Sequence, residues 1–262
     1  MRAMQVPSFI IHRRPFRETS LIIEAIAHGY GRVALVLKGA QASSRVGKKS
    51  STSANAQLFQ PVLLSFSGMS ELKTALGIEA NGTAIALSDK FLYCGFYVNE
   101  LLCRLWPQNV ASDDIYPRYH QLLTALSALQ QAVLDDESST DVQTNETQIQ
   151  VVLERLLRQF EFELLYMLGF AVNWHYCFDS QLAIEPSKNY LFVPEQGFTE
   201  TDLAVDLQGD IKVFSGADIL AIGDGQVLQG QSLYSAKCLS RLALAPYLGD
   251  KPLKSRELFK LI

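Results

Sequence analysis

Residues 19–38, TSLIIEAIAHGYGRVALVLK, read as two β-strands joined by a tight connection. Residues 19–27 and 31–38 are rich in Ile, Leu and Val, and His28-Gly29-Tyr30-Gly31 between them carries the glycines of a sharp turn. Side chains on a strand alternate between faces. Val33, Leu35 and Leu37 therefore point one way, suited to a core, while Arg32, Ala34, Val36 and Lys38 point the other. At about 3.3 Å per residue, Arg32 and Lys38 stand roughly 20 Å apart on that second face. The small apolar patch between them is a surface on which a nucleic-acid strand can lie, with phosphates meeting the cations.

Outward from this pair, residues 8–13, 57–67 and 72–79 have the same β composition, bounded by Gly, Pro and Ser. Five short strands in so few residues suggest a small closed barrel over residues 1–80. Asn81-Gly82 marks a turn, after which the hydrophobic period becomes helical. The spacing predicts helices over 84–105, stopped by Pro107, over 113–134, and over 149–168, closed by Gly169. The acidic stretch 135–148 reads as a solvated loop. Short β-like runs follow at 189–194 and 211–214, then a short helix over 216–222 capped by Ser215. A longer helix is expected at about 231–248, and a last turn capped by Ser255. The fold class is thus α+β, with a barrel followed by a mainly helical domain over 83–262.

Charge is unevenly placed. Residues 1–50 hold nine bases and only two acids, Glu18 and Glu24, for a net charge of +7. Residues 237–262 are +4, which leaves −15 for residues 51–236 in a chain whose total is −4. Such asymmetry points to a polyanionic partner. The candidate DNA-binding cations are Arg13, Arg14, Arg17, Arg32, Lys38, Arg45, Lys48 and Lys49. The last three belong to a Ser- and Gly-rich stretch whose charges would neutralise phosphates without choosing sequence. Phe16, among three arginines, is a candidate ring for stacking on a base. At the other end, Lys251, Lys254, Arg256 and Lys260 surround Leu253, Leu258 and Phe259. They make either an ordinary basic helix end or a partner-binding turn.

Other function classes fare worse. The sequence has no phosphate-binding glycine loop with Lys, no G-x-S-x-G and no H-E-x-x-H. His12, His28, His120 and His175 are scattered, and Glu161 and Glu163 diverge by about 200° on a helix, so no catalytic constellation emerges and no enzyme activity is expected. Cys94, Cys103, Cys177 and Cys238 form no C-x-x-C pair and read as free thiols of a reducing compartment. No apolar run approaches the roughly 18–20 residues that span a bilayer. With an N-terminus lacking an apolar signal core, the expectation is a cytoplasmic, nucleoid-associated protein without membrane contact.

HRRPFRETSLI at 12–22 and GRVALVLKGAQ at 31–41 resemble the N-terminal barrel of the RecO family of bacterial DNA repair and recombination mediators. FYVNELLCRLWP at 96–107, FEFELLYMLGFAVNW at 160–174 and ALAPYLGDKPLKSRELF at 243–259 agree with it in order along the chain. The resemblance implies an oligonucleotide-binding barrel (OB-fold) at 1–80. It also implies binding of single- and double-stranded DNA, annealing of complementary strands, and loading of RecA, together with RecR, onto DNA coated by single-stranded DNA-binding protein (SSB). It carries no cofactor and no catalytic residue. It further implies that SSB docks its acidic tail on the helical domain, and Lys251, Lys254, Arg256 and Lys260 are the candidate contacts. Many members hold zinc through two C-x-x-C pairs in the region matching 173–214. Here Ser180 stands where the second sulfur would be and no cysteine occurs from 178 to 237, so a zinc-free finger-like region is expected. Trp174, Tyr176, Phe178, Tyr190 and Phe192 would pack in place of the metal. From the residues alone, the alternative is an RNA-binding barrel with a helical protein-interaction domain.

Overall fold

The computed structural model describes residues 1–40, 55–135 and 142–258, with backbone alone for 142–145. The chain forms two compact units, residues 1–135 with 252–262 and residues 136–251.

Five strands build the barrel of the first unit: β1 (Arg2–Phe16), β2 (Ser20–Ala27), β3 (Gly31–Leu37), β4 (Pro61–Ser67) and β5 (Leu72–Ala80). They close in the order β1-β2-β3-β5-β4. Only β3 and β5 run parallel, over the short register Ala34–Leu72 to Val36–Thr74. β1 is longer than its apolar core at 8–13 suggests. Register shifts between Ala3 and Val6 and between Ile10 and His12 bend it, so its first half pairs with β4 and its second with β2. Val33, Leu35 and Leu37 join Ile10, Ile23, Leu64 and Phe66 in the barrel core, as the alternation requires. Gly31 is dictated by space as well as by the turn. Its φ is +67°, and a Cβ there would meet the Val110 carbonyl oxygen at 1.9 Å.

Helices α1 (Asp89–Leu105), α2 (Ile115–Asp135) and α3 (Val142–Met167) follow, then strands β6 (Asn189–Val193), β7 (Gly197–Thr201) and β8 (Val213–Ser215), helices α4 (Gly216–Gly223) and α5 (Gly230–Leu248), and the closing turn α6 (Ser255–Leu258). In the first unit, Phe9 on the outer barrel side packs against Tyr116 and Tyr119 of α2, with ring centroids 5.4 and 5.3 Å away. Tyr119 donates its hydroxyl to Asn99 Oδ1 of α1 at 2.5 Å. The pair of helices is thereby fixed to each other and to the barrel by groups that burial alone would penalise.

Three expectations are corrected. The first helix begins at Asp89 rather than 84, because residues 82–88 run extended along the barrel. There Ile85 donates its N–H to the Phe59 carbonyl, and Gln130 bonds the Ala86 carbonyl and the Ser88 N–H. Second, the acidic stretch is helical from Val142, which its lack of Gly and Pro allows. Third, β7 went unread because Gly197–Thr201 is short and half polar, yet it pairs with β6 along its full length. Ser215 does cap α4, accepting the Asp218 N–H.

In the second unit, Tyr190, Phe198, Phe214, Ile219 and Leu239 form the core. α3 carries a buried Arg158–Glu161 pair at 2.5 Å, and its Glu154 meets Lys237 of α5 at 3.0 Å.

Candidate nucleic-acid interface

The barrel register decides which cations share a surface. Arg14 lies opposite Ile22, and Ile22 opposite Val36. Phe16 lies opposite Ser20, two positions toward the hairpin end. Because alternate residues share a face, Arg14 and Phe16 on β1 share the outer face with Val36 and Lys38 on and just past β3. With strands about 4.8 Å apart, Arg14 and Val36 are separated by about 10 Å across the sheet. Arg14, Arg17 and Lys38 are exposed. Arg17 adopts φ 54° in the turn after β1, and its guanidinium carbon sits 5.1 Å from the Phe16 ring centroid. One barrel end therefore presents three solvated cations around an aromatic ring.

Two other arginines sit differently. Arg13 pairs in register with the core residue Ile23, so it starts from the inner side, and its Nη1 donates to the Ala56 carbonyl at 2.9 Å. Arg32 lies on the outer face, but its side chain is only 13% exposed and meets Glu24 of β2 at 3.6 Å. Ala34 beside it is buried, so the apolar patch expected between Arg32 and Lys38 is closed over at the Arg32 end. Cys103 of α1 lies near this pair. Burial, followed by the charge of Glu24, pushes its thiol up to about 12. Strand alternation puts Arg32 on the outer face with Lys38, but Glu24, eight positions away in sequence, is its actual neighbour. The antiparallel register, Glu24 opposite Ala34 and Ile26 opposite Arg32, is the signal that brings the two together. Arg45, Lys48, Lys49 and Lys260 lie outside the described residues.

The C-terminal cations divide between the units. Lys251 belongs to the second unit, Lys254 and Arg256 to the first. The turn that holds the latter two is fixed by Glu100 of α1. The Glu100 carboxylate accepts the N–H groups of Lys254 and Ser255 at 3.0 and 2.8 Å and the Ser255 hydroxyl at 2.6 Å. Ser255 thus does not cap its own turn; a carboxylate distant in sequence does so instead. Burial pulls the Glu100 carboxyl upward, but the Ser255 and Lys254 hydrogen bonds and nearby Arg104 outweigh it and hold it below the ordinary glutamate value.

The finger-like region is tied by backbone and aromatic contacts. Cys177 is buried, donates its N–H to the Leu182 carbonyl and bridges to Phe198. Among the described residues no three His, Cys, Asp or Glu side chains converge as a metal site. The residues present do not fit a tetrahedral zinc. Trp174 packs edge-on against Phe162 at 4.9 Å and lies 6.2 Å from Phe198, which Phe192 also meets at 5.3 Å. Phe198 is the centre of this packing and was not among the expected rings, whereas Tyr176 is 51% exposed.

The barrel order and its parallel β3–β5 closure define the class: a small barrel of the oligonucleotide-binding type, followed by helices. A family model for "Recombination protein O N terminal" matches residues 1–81. The chain is 36% identical over 251 residues to DNA repair protein RecO of Pasteurella multocida, covering 96% of this chain and 92% of that one. It is 37% identical over 251 residues to RecO of Haemophilus influenzae, at 96% and 93% coverage, and 35% identical over 252 residues to RecO of Vibrio cholerae, at 96% and 92%. The chain belongs to the RecO family of DNA repair proteins. No described helix is long and apolar enough to cross a membrane.

Proposed function

We propose that the protein is a non-catalytic mediator of recombinational DNA repair. It binds single- and double-stranded DNA, anneals complementary strands and, with RecR, helps load RecA onto SSB-coated single strands in the cytoplasm. Family membership supports the repair role. The observation that carries the DNA-binding part is the barrel register, which gathers Arg14, Phe16, Arg17 and Lys38 on one end. Phosphates meet the cations, and a base stacks on Phe16 when Arg17 swings toward the backbone. Arg13, Arg45, Lys48 and Lys49 are further candidate phosphate contacts by their charge, while Arg32 acts mainly by holding β2 to β3. Annealing follows from shared neutralisation of two phosphate backbones, a process that needs no nucleotide hydrolysis. SSB would be met through its acidic tail, for which Lys254 and Arg256 of the first unit supply counter-charges.

Annealing tests this reading. Complementary oligonucleotides, bare or coated with SSB, are mixed with the protein without ATP, and duplex formation is followed by fluorescence quenching. Acceleration of both reactions is expected. No acceleration on either substrate would contradict the proposal.

A further inference from the structure

The first unit has a groove well away from the basic barrel end. Its volume is about 540 Å³, and one wall is a single stripe of α2: Tyr116, His120, Thr124, Ser127, Ala128 and Gln131. The opposite wall comes from the end of β5 and the extended run after it, with Asn81, Thr83 and Ile85. The size falls within the range of roughly 300–1,000 Å³ typical of small-molecule sites.

Its chemistry is narrow. Among the described residues no Lys, Arg, Asp or Glu lines it, so it offers no ion pair to a phosphate, a carboxylate or an ammonium group. Asn81, Thr83, Thr124, Ser127 and Gln131 both donate and accept hydrogen bonds. The Tyr116 and His120 rings lie 6.2 Å apart and tilted by 50°, and both lean on Phe9 of β1. Two rings in line with the Thr124 and Ser127 hydroxyls and the Gln131 amide, with Asn81 and Thr83 opposite, suit a flat, uncharged ring with hydrogen-bonding edges.

We propose that this groove receives an unstacked nucleobase of a single strand whose phosphates are held by the basic barrel end. The inference rests on the DNA-binding reading above. Phe9, buried behind the groove's Tyr116 and His120, and Phe16, at the basic end, lie on the same strand, seven positions apart, or roughly 20 Å. Barrels of this type engage roughly 4–16 nucleotides, enough to reach both places. The uncharged lining leaves the phosphates outside, and side chains that both donate and accept accommodate any base. The groove therefore adds affinity without sequence choice.

The test compares a thymidine strand of about 12 nucleotides with an abasic strand of the same length. Wild-type protein is expected to bind the thymidine strand more tightly, by about fivefold to a hundredfold per stacked base. In Ala128→Leu, which fills the groove, and His120→Ala, which removes a ring, this preference should shrink by about fivefold or more. Affinity for the abasic strand should stay unchanged. Circular dichroism and thermal unfolding establish that both variants fold. An undiminished preference in both folded variants would overturn the groove assignment. Failure of wild-type protein to bind either strand would overturn the DNA-binding reading itself.

Discussion

Arg14 and Arg32 both project from the outer side of the barrel, and their surroundings separate them. Arg14 is solvated, with no acid opposite it in the register. Arg32 lies beneath covering residues and faces Glu24 at 3.6 Å. A solvated guanidinium exchanges its water and counterions for a phosphate at little cost. A largely buried one would have to abandon its carboxylate and leave it stranded. Arg32→Ala should therefore lower stability by about 1–3 kcal/mol, since Glu24 loses its partner in a half-dry site. Affinity for single-stranded DNA should change by less than about twofold, the scale of one weak contact. Urea unfolding together with anisotropy binding reads both quantities, and a large loss of affinity at unchanged stability would assign Arg32 to the phosphates instead.

At the scale of elements, the C-terminal turn is the clearest case of structure set from a distance. A four-residue helix cannot hold itself in water. Glu100, 154 positions before Lys254, satisfies its first N–H groups. The folded form holds this carboxyl below its ordinary value, so the contact is at full strength above the unfolded value. It is lost as pH falls through the depressed folded one, in acid below the ordinary glutamate range. Protection of the amides at residues 254–256 against hydrogen exchange, relative to the intrinsic rate at each pH, should therefore fall there. In Glu100→Gln the exchange should already be fast at neutral pH and lose this acid dependence, with stability down by about 1–3 kcal/mol. Exchange that is equally slow in wild type and Glu100→Gln would contradict the capping role.

Strand β3 shows what the sequence could disclose. Alternation in GRVALVLK placed Val33, Leu35 and Leu37 in the barrel core, because the period of two is a property of the backbone. It did not show that Ala34 and most of Arg32 on the other face are covered as well. The α1 start and the Glu100 cap were illegible because each depends on a partner far along the chain: Phe59 and Gln130, and Ser255. β7 was illegible for a different reason: its partner β6 is its neighbour in a hairpin, but five half-polar residues carry too weak a β pattern. Within the candidate interface, Arg14, Phe16 and Lys38 were readable as candidates one by one. That they share a face while Arg13 does not required the β1–β2–β3 register, including the shift at Ile10/His12.

For the whole molecule, the distribution of charge governs the account. Residues 1–50 carry +7 in a chain of net −4, so on the proposed reading a polyanion is drawn to the N-terminal segment rather than to the acidic residues 51–236. Each phosphate neutralised on a single strand contributes about −0.7 to the slope of log affinity against log salt. The most direct test is therefore fluorescence anisotropy with labelled single-stranded DNA across a salt series, comparing wild type with Arg14→Glu/Lys38→Glu. A steep wild-type slope is expected, with the double variant weakened roughly tenfold or more and its slope shallower by about 1.4, two phosphates' worth. An affinity and slope unchanged in the variant would place the DNA on another surface and contradict the account.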